Sequence, residues 1–72
     1  MSDHLPWVEV GELWEFKNPY EKNVDHYLIL QMYADDHYGW LYRCLHIESG
    51  DIVPDLIIDS GTVRNYNAHK VA

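Results

Sequence analysis

The chain has 72 residues, a formal charge of −7 and a single cysteine. That length allows one domain and leaves only about 60% of the unfolded surface to be buried, while the lone thiol excludes an internal disulfide staple. Lys17, Lys22, Arg43, Arg64 and Lys70 are scattered, which argues against a phosphate backbone or an anionic membrane surface as partner, since both need clustered cations.

In chain order, residues 1–7 read as a flexible leader with neither the basic region nor the apolar stretch of a signal peptide. No apolar run approaches the ~20 residues that span a bilayer, so a cytoplasmic protein, or a virion component if phage-encoded, is expected. A first strand is expected near 11–17, where Trp14 and Phe16 share one face and Glu15 points away. Val8 and Val10, flanked by Trp7, are expected to offer an unpaired edge.

Residues 17–25 carry Asn18-Pro19 and no sustained apolar pattern, and read as a long loop. A second strand follows near 26–34, apolar on both faces, with Leu28, Leu30 and Met32 together. The polar segment ending in Gly39 reads as a hairpin loop, and the third strand spans 39–48. The Ser49-Gly50-Asp51 turn leads to a short strand at 51–54, which Pro54 ends or marks as an edge. A last strand is expected at 62–66, and residues 67–72 read as a frayed tail. The expected core is Trp14, Leu28, Leu30, Leu41, Leu45 and Leu56.

The fold class is therefore all-β, a small, mainly antiparallel barrel of five or six strands over residues 8–66. Gly11-Glu12-Leu13-Trp14, Gly39-Trp40-Leu41-Tyr42-Arg43-Cys44-Leu45 and Ser49-Gly50-Asp51 before Leu56 carry a family resemblance. From Val10 to Tyr66 the order of strands and turns resembles Src-homology-3-like barrels with their Tudor- and KOW-like relatives. Its general look is also similar to small bacteriophage proteins. The resemblance implies a barrel and a binding role. The first loop holds Tyr20 and Glu21 without the full aromatic series of peptide-binding members, and the chain lacks the basic character of nucleic-acid-binding ones.

No catalytic residue, cofactor or metal site is expected. His26, His37 and His46 lie beside carboxylates, but no HxxxH, HxH or CxxC spacing brings two ligands together locally. Cys44 shares a strand face with His46, yet its apolar, acidic setting suits a packed thiol better than an activated one. Ten aromatics exceed what so small a core encloses. Trp7, Tyr20, Tyr33 and Tyr38 are expected to include partner-binding rings.

The leading functional reading is a non-enzymatic structural or assembly protein docking on itself or on a larger protein, with small molecules and nucleic acid as unfavoured ligands. The alternative is an acidic inhibitor that imitates nucleic acid. Residues 1–36 carry eight acids and two bases, residues 37–72 four and three. Glu9, Glu12, Glu21, Asp25, Asp35 and Asp36 would form that acidic surface. A small metal-binding module or enzyme is the third reading.

Overall fold

A computed structural model of the protein describes residues 8–72. Strand β1 (Leu13–Lys17) alternates as its sequence implies, with Trp14 and Phe16 buried. Asn18-Pro19 stops it, and the Asn18 side chain accepts the Tyr20 amide at 2.8 Å to close the turn. Strand β2 (Val24–Asp35) starts at Val24, so the loop covers only 18–23 and is shorter than expected. The Asp35 carboxylate then accepts the His37 and Tyr38 amides, each at 2.9 Å. Gly39, at φ 85°, starts β3 (Gly39–His46). Gly50, at φ 77°, serves the next turn, before β4 (Ile52–Leu56).

After β4 the chain departs from expectation. Residues 62–66 are not a strand but belong to helix α1 (Ser60–Tyr66). By propensity the β-branched pair Thr62-Val63 favours a strand. The deciding residue is Asp59, whose carboxylate accepts the Thr62 amide at 2.8 Å and the Thr62 hydroxyl at 3.0 Å. Asn67, at φ 46°, ends the helix in the left-handed region. The segment read as a frayed tail carries β5 (His69–Lys70), and the Val71 amide donates to the Leu13 carbonyl at 2.8 Å.

The five strands form one antiparallel sheet in the order β4-β3-β2-β1-β5. The chain is mostly β, but this sheet is not closed. The Pro54-containing strand β4 is an edge, as a residue without an N–H requires. β1 is not: it lies between β2 and β5. Val8, expected on an exposed edge with Val10, is instead fully buried.

The core lies on one sheet face. It joins Trp14, Phe16, Ile29, Tyr42 and Cys44 to Val8, Ile58 and Ala68, with Tyr27, Met32, Trp40, Leu56 and Val63 packed against it. Trp14, Leu41 and, in part, Leu56 meet the expectation of burial. Leu28, Leu30 and Leu45 do not: Leu28 and Leu45 are half-buried, and Leu30 is 39% exposed.

The physical cause for β2 is a bulge. Ile29 pairs with Cys44 and Gln31 with Arg43, leaving Leu30 as the extra residue. The bulge moves Met32 to the face of Ile29, so an unbroken period of two assigns the wrong residues to the core. Leu28 and Leu45 instead lie in a cross-strand row with Leu13 and Ile52 on the opposite face.

Candidate functional site

Two strand pairings assemble one end of the sheet. Tyr27 sits opposite His46, and Phe16 opposite Asp25. Alternation therefore continues the core face past Cys44 to His46, and past Tyr27 to Asp25, beyond the buried cluster. On the other face Glu15 sits opposite both His26 and His69. Glu48, in the turn between β3 and β4, reaches both faces around the strand ends.

The result is a chain of alternating imidazoles and carboxylates. His69 Nε2 lies 3.3 Å from Glu15 Oε1, and Glu15 Oε2 lies 3.2 Å from His26 Nε2. Nδ1 of His26 is 2.5 Å from Glu48 Oε2, and its backbone amide donates to Glu48 Oε1 at 2.8 Å. His46 Nε2 lies 2.8 Å from Asp25 Oδ1 and 3.5 Å from Glu48 Oε1. His46 Nδ1 is held by Ser49 Oγ at 2.6 Å, and its ring packs on Tyr27 with centroids 5.0 Å apart.

These contacts set the charges. Hydrogen bonding to Glu48 raises the His26 pKa, against a smaller effect of burial. The hydrogen bond from the His26 ring, followed by that from its backbone amide, brings Glu48 down to about 2. Glu48 is therefore an anion at neutral pH. Cys44 is the opposite case. Burial pushes its thiol up to about 12, so it stays protonated, and its neighbour two residues on, His46, is committed to other partners.

Beside this network a cleft of about 410 Å3 opens between the sheet end and α1, lined by Phe16, Tyr27, Tyr66, Asp25, Asp55 and Leu56 among others. A second depression of about 430 Å3 runs between Pro19-Tyr20 and Arg64, Asn65 and Tyr66. The two share Tyr66, which is 40% exposed and tilts over Phe16 at 6.5 Å.

Tyr20 is 93% exposed and borders this groove. Tyr38 is 52% exposed at the far hairpin, with its ring edge-on to His37. Tyr33 is tied down: its hydroxyl donates to the Pro54 carbonyl at 2.9 Å and bonds Asp55, which makes it a strut between β2 and β4. Trp7 lies outside the described residues.

The expected acidic surface is similarly divided. Glu9, Glu21 and Asp36 are exposed. Glu12 instead accepts from Trp14 Nε1 at 3.1 Å and pairs with Lys70 at 3.3 Å, with its side chain only 12% exposed. Asp35 caps the hairpin and Asp25 belongs to the histidine network.

Glu48 and Tyr27 were not singled out as site residues by the sequence, and His46 was set aside as a ligand because local spacing offers it no partner. Their signal is cross-strand register and a turn that folds back, neither of which is written in local spacing. No protein-family model, curated protein or solved structure matches the chain. No described helix is long and apolar enough to cross a membrane.

Proposed function

We propose that the chain is a non-enzymatic docking module with a structural or assembly role, built on a Src-homology-3-like scaffold. The strand order supports the scaffold: three strands in a meander carry a short edge strand, and the last strand returns beside the first. The observation that carries the function is the groove in which Tyr20, Tyr66 and Tyr27 line two adjoining depressions. Exposed aromatic rings that border a concave surface are common anchors of protein interfaces. Asp25 and Asp55 line the inner depression, but both are engaged within the chain, by His46 and Tyr33, so the partner segment the groove suits is one that brings apolar or aromatic side chains to the rings.

The acidic-inhibitor reading is less well supported, because Glu12, Asp25 and Asp35 are engaged within the chain. The test is capture of partners from the native source by wild-type protein, Tyr20→Ala and Tyr66→Ala, beside the melting temperature of each. Loss of an anchor ring should cost at least about 2 kcal/mol of binding, roughly thirtyfold in affinity, with melting nearly unchanged for Tyr20→Ala. If both variants bind or assemble like wild type, the groove is not the interface.

A further inference from the structure

His46 presents its imidazole at the open end of the sheet, beyond the buried cluster. Two carboxylates from different elements, Asp25 on β2 and Glu48 in the β3–β4 turn, converge on the same nitrogen, Nε2, at 2.8 and 3.5 Å. One N–H can serve only one acceptor well. A divalent ion can serve all three at once.

We infer that Asp25, His46 and Glu48 form a binding site for a first-row divalent transition-metal ion, with zinc as its natural probe. This goes beyond the docking role and reverses the expectation, from local spacing, of no metal site. One donor atom from each residue lies within 4.8 Å of the other two. A zinc ion sits about 2.0–2.2 Å from nitrogen and oxygen ligands, which spaces tetrahedral ligands roughly 3.3 Å apart. The observed separations need shifts of only a few tenths of an ångström for the His46 pairs.

The supporting shell is in place. His46 Nδ1 is 2.6 Å from Ser49 Oγ, and the Asp51 amide donates to that same oxygen at 3.2 Å, which fixes the hydroxyl. A ring whose Nδ1–H donates there aims the Nε2 lone pair at the ion, the arrangement that orients histidine ligands in metal sites. Glu48 is gripped on both oxygens, Oε1 by the His26 amide and Oε2 by the His26 ring. Among the described residues no Lys or Arg pairs with Asp25 or Glu48; Lys70 pairs with Glu12.

The ligand set also discriminates between ions. One imidazole with two carboxylates suits zinc and its first-row neighbours, whereas magnesium and calcium favour all-oxygen sites. Three protein ligands leave a fourth tetrahedral position open.

The experiment is titration of chelator-treated full chain with zinc chloride at neutral pH, by calorimetry, beside melting with and without the ion. Cobalt(II) absorption on the wild type reports the coordination directly. One zinc per chain is expected, with a visible cobalt band. Affinity should fall at least tenfold in Asp25→Asn, Glu48→Gln and His46→Gln, and by a smaller factor in Ser49→Ala. His37→Gln, far from the site, should bind as wild type. Magnesium and calcium at the same concentration should leave melting unchanged.

Absence of zinc binding overturns the inference, as does binding that survives both Asp25→Asn and Glu48→Gln. Equal response to magnesium or calcium overturns the imidazole's part in it. If His46→Gln fails to fold, the two carboxylate variants and the cobalt spectrum still decide. Because the readout is metal alone, its failure leaves the docking test of Tyr20 and Tyr66 standing, and the reverse holds too.

Discussion

Cys44 and His46 stand two residues apart on one face of one strand, and their surroundings differ completely. Cys44 is fully buried among Ile29, Tyr42 and Trp14, with nothing to do but fill space. His46 lies past the edge of that cluster and meets Ser49, Asp25 and Glu48. The sheet continues where the covering layer of Val8, Ile58 and Ala68 stops. The same alternation that makes a core in one half delivers polar side chains to an open surface in the other. Folding is thus expected to depend on the first region and ligand binding on the second.

The largest effect should come from the core half. Ile29→Ala should lose about 2–5 kcal/mol, since it leaves a cavity in a fully packed cluster. Leu30→Ala, one residue along on the bulge, should lose under about 1 kcal/mol. Chemical denaturation of the pair measures both, and equal losses would show that β2 is not bulged at Leu30. Next comes the helix that covers one side of the cleft. Asp59→Ala removes the acceptor for the Thr62 amide and should cost about 1 kcal/mol, read as a fall in melting temperature of roughly 4–8 °C.

Tyr42 gives a smaller effect of opposite sign. Its hydroxyl is buried and has no hydrogen-bond partner among the described residues. Tyr42→Phe deletes an unsatisfied polar group at constant shape and should be neutral or stabilising by up to about 1 kcal/mol. A clear loss of stability in denaturant would mean that the hydroxyl is satisfied.

The polar half should show itself in pH dependence. His26 binds its proton more tightly folded than unfolded, so its contribution is complete below the ordinary value of 6.5 and fades as pH rises through the raised folded value. Glu48 runs the other way: its contribution is present above 4.5 and is lost as pH falls towards about 2. Both act fully only between those two ordinary values. The melting difference between wild type and His26→Gln should therefore peak in that window and shrink on both sides. A difference that is flat with pH would remove the pair from the stability of the fold.

The sequence made the β1 to β4 meander legible because Trp14/Phe16 and Tyr42/Cys44 alternate without interruption, and because Gly39 and Gly50 mark the two hairpins. It hid the Leu30 bulge, since both faces of β2 are apolar and either phase looks plausible. It hid α1 and β5 for a different reason: a single cap at Asp59 and the backbone pairing of Leu13 with the C-terminal segment outweigh local propensity there. Of the groove, Tyr20 was visible as an aromatic in a turn. The His46 cluster was not, because its three members come from positions 25, 46 and 48 and meet only through strand register.

The most direct test of the division between a folding half and a binding half is the melting temperature of Tyr20→Ala/His46→Gln, measured without metal beside Ile29→Ala. The double variant removes one ring from the groove and the centre of the polar cluster. It should unfold cooperatively, with a loss of no more than about 1 kcal/mol, or roughly 4–8 °C, while Ile29→Ala falls much further. A double variant as destabilised as Ile29→Ala would show that the polar end holds the fold together, and the division would be wrong.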